Sequence, residues 1–452
     1  MILLVLLFLS VVFIILSTAK YNMHPILALI SAAIGFGLLS GMPLADIAGS
    51  INDGFGRTIG SIGLVIICGT IIGTFLERSG GAFAMAERTL RVIGEKHVPL
   101  AMGIIGYIVS IPVFADSGFI VLSPLAKALS KKVKISLAGT AIALAMGLTA
   151  THSLVPPTPG PIAAAGILNA DLGLVVLLGL PISFLAFLPG YVFAVKYASK
   201  TYIDPNPELS EAELSARRKE APSAFRAFLP ILVPLLLIVT KSFSGLSTQA
   251  ASGTSGANPP GFLTSLIGFI GEPVIALIIG VILAFTLPRK LEMSMFSASG
   301  WVGESIVSAA IIIMITGAGG SFGRVLQNSG IASVIGSSLS NLNLGIWLPF
   351  IITAAIKTAQ GSSTVAIITT ASLFAPLMES LGFESAVAKA FLVFAIGAGG
   401  IVVSHANDSG FWVITQLSRM DVKTGYRFQT LGTFIVGCSA AVLVWIASLF
   451  YF

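Results

Sequence analysis

Four short polar segments interrupt long apolar stretches of this sequence, and they carry the side chains best suited to chemistry away from water. They read P-V-F-A-D-S-G at 112–118, T-H-S-L-V-P-P-T-P-G-P at 151–161, K-T-A-Q-G-S-S-T at 357–364 and S-H-A-N-D-S-G at 404–410. Together they offer two carboxylates, two imidazoles, one ammonium group and several hydroxyls. Groups of this kind bind polar ligands, and a histidine among them titrates near neutral pH.

Each ionisable residue in these segments has a functional and a structural interpretation. Asp116 and Asp408 are expensive in apolar surroundings unless they are paired or functional, so both are predicted to bind a ligand, with helix capping as the alternative. His152 and His405 either titrate or hydrogen-bond a freed carbonyl group. Lys357 either neutralises a ligand carboxylate or pairs with an internal acid.

Short hydroxyls and glycines complete the predicted binding set. A Gly361 turn followed by hydroxyl side chains suits the oxygens of a polyol, although simple closure of a hairpin is the alternative. The further predicted substrate-binding residues are Ser117, Gly118, Thr151, Thr158, Gly160, Gly361, Ser362, Ser363, Thr364, Asn407 and Ser409.

The composition indicates that the elements holding these residues lie in a membrane. Of 452 residues 55% are hydrophobic and only 10% are charged, whereas soluble domains carry about 25% charged residues. Apolar stretches long enough to cross a hydrocarbon core recur from end to end. The sequence therefore predicts an all-α polytopic membrane protein. No nucleic-acid platform accompanies the net charge of +6, and the two cysteines suggest neither disulfides nor a metal, so no cofactor is predicted.

The apolar stretches fall into three kinds of element. Two tracts, at about 98–130 and 344–381, are too long for one crossing and have polar centres, which predicts re-entrant hairpins. Two helices, at about 135–169 and 386–418, are predicted to break at their polar segments. Single spans are predicted at 1–19, 24–41, 59–76, 172–195, 229–238, 262–287, 305–323 and 431–451, giving about ten transmembrane helices with the broken ones.

Similar motifs recur in the two halves about 250 residues apart. G-T-F-L-E-R-S-G from Gly73 corresponds to G-R-V-L-Q-N-S-G from Gly323, and T-H-S corresponds to S-H-A. With the N-terminus outside, 20 of the 25 lysines and arginines lie on the inner side. The sequence thus predicts inverted repeats at 1–196 and 228–452, joined by a cytoplasmic linker at 197–227.

The polar breaks predict a binding site near the middle of the bilayer. An unwound backbone is tolerated there only where it lines a cavity or is buried in protein, and an interior proline costs a helix about 3 kcal/mol. Freed half-helix N-termini favour an anion such as a carboxylate. This is the layout of a secondary transporter, with a set of simple proline kinks as the alternative.

Three motifs carry a family resemblance that runs nearly end to end. H-S-L-V-P-P-T-P-G-P-I-A-A-A, Q-G-S-S-T-V-A and S-H-A-N-D-S-G-F-W resemble motifs of the gluconate permease family of proton symporters. The resemblance implies uptake of gluconate or a related aldonate across a bacterial inner membrane. Another small carboxylate, D-serine or glycerate, is the alternative substrate, and sodium is the alternative coupling ion. Kinship with transporters that move a substrate-bearing part past a scaffold is also implied.

The composition and the resemblance together give the expected partners, and the place of an acid in a hairpin tip gives the candidate coupling group. The partners are a small organic acid, a proton and the lipid bilayer, with no nucleic acid, and a homo-oligomer is left open. Asp116 is predicted to carry the coupling proton, with Asp408 as the second candidate. An intramembrane enzyme is the alternative class, but there is no H-E-x-x-H motif and the histidines lie far apart.

Overall fold

A computed structural model describes residues 2–21, 23–94, 97–205, 219–251, 262–331, 345–406 and 408–451. These residues form helices and turns, with no β-strand among them. The all-α prediction is therefore confirmed.

The helices are numbered here in chain order. They are α1 Ile2–Ala19, α2 Pro25–Leu39, α3 Leu44–Arg78, α4 Gly81–Ile93, α5 Val98–Val109, α6 Ala115–Lys132, α7 Leu137–His152, α8 Pro159–Ile167, α9 Leu172–Lys196, α10 Ala224–Ala251, α11 Phe262–Ile270, α12 Pro273–Ala284, α13 Trp301–Asn328, α14 Trp347–Gln360, α15 Ser363–Phe374, α16 Ala386–Ile401, α17 Ser409–Leu417 and α18 Val422–Ser448.

Several of the described helices have the length and composition of membrane spans. Four qualify individually, and they are Leu172–Lys200, Ala224–Ser242, Met293–Asn328 and Val422–Ser448. Helix α3 is a fifth if its two parts, which bend by 43°, count as one span. Eight shorter apolar helices have 10–17 residues and are too short to cross a bilayer without bending or pairing.

Two pairs of consecutive helices are joined by tight turns. Residues 110–114 join α5 to α6, and we call them the first tip. Gly361 and Ser362 join α14 to α15, and we call them the second tip. Gly361 has φ of 89°, a left-handed conformation that glycine adopts without strain, and Ser362 caps α15 by accepting from the Val365 amide at 3.3 Å. Each tip therefore presents the start of a helix.

Two further pairs of helices are separated by irregular backbone. Residues 153–158, the first break, lie between α7 and α8, and residues 402–406 and 408, the second break, lie between α16 and α17. Pro159 begins α8, where its missing N–H is not needed. Asp408 caps α17 by accepting from the Gly410 amide at 3.0 Å.

Helices α3 and α13 form the most extensive helix contact. They cross so closely that a Cβ added at Gly54 would lie 2.4 Å from the Gly320 carbonyl oxygen. Ser321 Oγ donates to the Ile51 carbonyl at 2.8 Å, which ties the two backbones together. Helix α3 also packs against α8 and α12, while α13 packs against α2 and α15, so the pair connects both halves of the chain.

Three predicted spans differ most from the observed helices, and the one predicted at 229–238 is the middle of the longer helix Ala224–Ala251. The span predicted at 262–287 is two helices, because the chain turns at Gly271 and restarts at Pro273, where Glu272 forms an ion pair with Lys241. The span predicted at 59–76 begins earlier, at Leu44. Its additional turns form the crossing with α13, a tertiary contact that compensates for their lower hydrophobicity.

Candidate functional site

Both tips and both breaks contribute to one cavity of about 360 Å³. Helices α6, α7 and α14 to α18 complete its wall. Its lining residues are Phe114, Ala115, Asp116, Thr149, His152, Ser153, Lys357, Gly361, Ser362, Ser363, Thr364, Ile401, Ser404, Asp408, Ser409, Gly410, Ile414, Gln429 and Thr433.

A buried ion pair joins the second hairpin to the second break. Lys357 Nζ lies 2.6 Å from Asp408 Oδ2 and also donates to the Gly361 carbonyl oxygen. Ser404 Oγ donates to the same carboxylate oxygen at 2.6 Å. The Lys357 side chain is only 1% exposed, so its charge needs this partner. Of the two interpretations of Lys357, pairing with an internal acid is the one observed.

Asp116 connects the first hairpin to the second break. Its Oδ2 accepts a hydrogen bond from Ser409 Oγ at 2.8 Å, between residues 293 positions apart. A Cβ added at Gly410 would lie 2.9 Å from Asp116 Oδ1, so a glycine at 410 leaves room for the carboxylate. Among the described residues Asp116 forms no ion pair.

Three helix N-termini meet at the cavity. The first residues of α6, α15 and α17 are Ala115, Ser363 and Ser409, and all three line it. The N-terminus of a helix carries a partial positive charge and unpaired N–H groups, which favour an anion. The hydroxyls of Ser363 and Thr364 have no hydrogen-bond partner among the described residues, so they are available to a ligand.

The formal charges around the cavity nearly cancel. Lys357 and Asp408 compensate each other, and His152 is neutral in its usual form near pH 7. Asp116 therefore decides the sum: the lining carries one negative charge when this carboxyl is ionised and none when it is protonated. An anionic ligand is repelled in the first state and accepted in the second.

Nine of the sixteen predicted binding residues line the cavity. They are Asp116, His152, Lys357, Gly361, Ser362, Ser363, Thr364, Asp408 and Ser409. Asn407 lies outside the described residues.

Three predicted residues are used instead to satisfy backbone carbonyl groups near the breaks. Thr151 Oγ1 donates to the Tyr107 carbonyl at 2.9 Å, and Thr158 Oγ1 donates to the Val155 carbonyl at 2.6 Å. His405 Nε2 lies 2.7 Å from the Thr358 carbonyl oxygen. None of the three lines the cavity, because the last turns of α5 and α14 and the first break leave carbonyl acceptors that these side chains pair.

The other three predicted residues face neighbouring helices. Ser117 hydrogen-bonds Glu77 on α3. A Cβ added at Gly118 would lie 2.7 Å from the Leu148 side chain, and one at Gly160 would lie 3.2 Å from the Ile367 side chain. The two glycines therefore permit close packing, and none of the three lines the cavity.

Several lining residues were not predicted. Some belong to the polar segments or lie beside them, such as Ser153 and Ser404, and that position is the sequence signal that could have identified them. Gln429 and Thr433 lie on α18, whose sequence gives no sign of a break. Thr433 Oγ1 accepts from the Ser404 amide at 3.1 Å, which holds the second break against α18.

Known proteins resemble this chain over nearly its full length. The model of the GntP family permease matches residues 1–450. A gluconate permease of Pseudomonas aeruginosa is 33% identical, over 95% of this chain and 94% of that protein. The D-serine transporter DsdX of Escherichia coli strain K12 is 32% identical, over 96% of this chain and 95% of that protein.

A solved transporter structure has a similar fold. The crystal structure of the YdaH transporter of Alcanivorax borkumensis aligns with a TM-score of 0.66 at 15% identity, covering 95% of this chain and 99% of that one. At this identity the match concerns the fold alone. The family match confirms the resemblance to the gluconate permeases, and the chain belongs to the GntP family of permeases, which are membrane transporters and not enzymes.

Proposed function

We propose that this permease imports a small sugar acid, gluconate or a related aldonate, together with a proton across a bacterial inner membrane. The observation that carries the proposal is the cavity where three helix N-termini meet one uncompensated carboxyl, Asp116. The gluconate permease relative supports the substrate class. The D-serine transporter relative supports a second candidate, a small amino acid.

The carboxylate of the substrate is proposed to bind at the start of α15. The free hydroxyls of Ser363 and Thr364 lie there together with the helix N-terminus. The Lys357 ammonium is compensated by Asp408, so it adds no net charge to the attraction. Partial charges and hydrogen bonds then hold the anion, which lets it leave again, as transport requires.

Asp116 is proposed to carry the coupling proton. A substrate anion entering beside an ionised Asp116 would bring two negative charges into a cavity whose only lysine is already paired. Protonation of Asp116 removes this repulsion, so loading of the anion and of the proton are coupled. Asp408 is the weaker candidate, because its carboxylate already forms the ion pair with Lys357.

The two halves are proposed to be inverted repeats, with α3, α5 to α8 and α9 matching α13, α14 to α17 and α18. Asp171 and Asp421, 250 residues apart, each cap a helix, accepting from the Leu174 and Thr424 amides at 2.8 Å. The charge bias then supports about ten spans and two re-entrant hairpins, with repeats at 1–196 and 228–452 and the intervening linker in the cytoplasm.

Alternating access is proposed to move the hairpins and broken helices past α3 and α13. The charge bias puts the cavity wall at Ile414 and Gln429 toward the cytoplasm. A second cavity of about 600 Å³ lies between α3 and α13 and the far ends of α8, α15 and α16, and its lining includes Arg57, Arg324 and Lys389. We call it the outer cavity, and it suits the opposite, outward-facing side of an elevator-like cycle.

Uptake by the purified protein in liposomes tests the proposal. An alkaline interior should drive accumulation of labelled gluconate above the external concentration, and a protonophore should abolish it. Accumulation of D-serine but not gluconate would favour the second candidate substrate. Accumulation that depends on a sodium gradient would show that sodium, and not the proton, is the coupling ion. Electrical conductance without saturation would contradict a transporter mechanism.

A further inference from the structure

Three polar atoms in the cavity wall are buried without a hydrogen-bond partner. They are His152 Nδ1, Ser153 Oγ and Gln429 Oε1. Ser153 is 2% exposed and Gln429 is 1% exposed. Folded proteins pair nearly all buried polar atoms, so unpaired ones that line a cavity indicate partners supplied by a ligand.

These three atoms can be compared with the other buried polar atoms that form no hydrogen bond. Among the described residues, the other buried side-chain atoms without a hydrogen bond belong to Arg324, Thr369, Thr370 and Ser418, and the Arg324 atom forms an ion pair with Asp53 at 2.8 Å. None of those four residues lines this cavity. Three of the seven such atoms in the described chain therefore lie in the wall of this one cavity.

The backbone around Gln429 is built to hold this side chain in the wall. Residues Tyr426–Thr430 form a π-helical segment inside α18, a departure from regular helix that recurs at functional sites. Thr430 Oγ1 donates to the Ser404 carbonyl at 2.5 Å, so this segment is fixed to the second break. An apolar residue would fill the same position if packing were its only role.

We propose that Gln429, Ser153 and His152 bind the hydroxyl groups of the substrate and select a polyhydroxylated acid. This inference rests on the proposed function and names the residues that contact the hydroxylated carbon chain of the acid. A hydroxyl both donates and accepts, so it pairs with an amide, a hydroxyl or an imidazole nitrogen in either of their orientations. The three side chains provide no carboxylate, so an ammonium group gains no charged partner from them.

The test compares gluconate with hexanoate, a carboxylate of the same chain length that lacks the hydroxyls. The variants are Gln429→Met, which keeps the approximate size, and Ser153→Ala. The matched control is Ser418→Ala, which also removes a buried unpartnered hydroxyl, but one outside the cavity. Inhibition constants of both acids are measured against uptake of labelled gluconate in proteoliposomes.

We expect the parent to prefer gluconate strongly, since a site built to pair hydroxyls leaves its polar groups unpaired with hexanoate. Gln429→Met should reduce this preference by about tenfold or more and Ser153→Ala by about fivefold, both through weaker gluconate binding. Ser418→Ala should keep the parental ratio. The thermal stability of each variant should match the parent, because no internal hydrogen bond of the affected atoms is lost.

Two results would overturn this proposal while leaving proton-coupled acid transport intact. One is a ratio of the gluconate and hexanoate inhibition constants that equals the ratio of the parent in both Gln429→Met and Ser153→Ala. The other is a loss of preference in Ser418→Ala equal to that in Ser153→Ala. A parent protein that transports no carboxylate would instead overturn the proposed function, and this inference with it.

Discussion

Helix α3 packs against the first tip through Gly73, where an added Cβ would lie 2.6 Å from the Pro112 carbonyl oxygen. Its counterpart in the second half, Gly323 on α13, packs against Ser372, whose carbonyl oxygen would lie 2.9 Å from an added Cβ. Ser372 is 11 residues beyond Gly361 of the second tip, a distance of about 16 Å along a helix. If the repeats exchange conformations, we expect the second hairpin to slide by about 16 Å until its tip reaches Gly323.

Substitution Gly73→Ala should therefore penalise the conformation described here. The methyl group would meet backbone, which cannot rotate away, and overpacking of this kind costs about 1–3 kcal/mol, or about 5- to 150-fold in the equilibrium between the two conformations. Labelling of Ile414→Cys in the cavity by an impermeant maleimide measures that equilibrium. In a background with Cys68→Ala and Cys438→Ala, Gly73→Ala should slow labelling from the cytoplasmic side.

Gly60→Ala is the matched control, because it lies on the same helix and an added Cβ there meets nothing within 4 Å. It should label as the parent does. Parental labelling of Gly73→Ala, or equal slowing by Gly60→Ala, would refute the proposed movement of the first tip along α3.

Three further experiments test the site and its approach. Lys357→Met or Asp408→Asn leaves one buried charge unpaired and should lower the free energy of unfolding by about 3–5 kcal/mol, while the double variant recovers thermal stability. Equal melting temperatures for the single and double variants would contradict this. Lys389→Gln in the outer cavity should raise KM for the acid about twofold at low salt, with kcat unchanged and the difference lost at high salt. An unaltered KM at low salt would contradict the proposal that the substrate passes through the outer cavity. Ser362→Ala removes a helix cap worth about 1 kcal/mol and should raise Kd for gluconate in calorimetry. Ser362→Asn should retain the cap and the parental Kd. A parental Kd for the alanine variant would argue against a carboxylate at the start of α15.

Local backbone chemistry made the helix ends readable in the sequence. Pro159 begins α8 because proline lacks an N–H, and Gly361 ends α14 because it adopts positive φ. The sequence offers ligand binding or helix capping as alternatives for Asp408, and in the structure it caps α17 and pairs with Lys357. These features depend on neighbours in the chain, so single residues reveal them.

The partners of the site residues could not be predicted, because they depend on how distant helices face one another. The sequence left Lys357 with two interpretations, and only the fold brings it to Asp408, 51 residues away. Thr151 looked free but donates to the carbonyl of Tyr107 on another helix. Gln429 lies in a helix with no break, and its unpartnered atom gives no signal in the sequence.

Proton-driven accumulation of gluconate by Asp116→Asn in proteoliposomes is the most direct measurement of the proposed coupling. The parent should concentrate gluconate when the interior is made alkaline. Asp116→Asn should still bind and exchange gluconate, because the amide resembles the protonated acid in shape, but a pH gradient should no longer drive its accumulation. Accumulation by this variant equal to that of the parent would contradict the assignment of the coupling proton to Asp116.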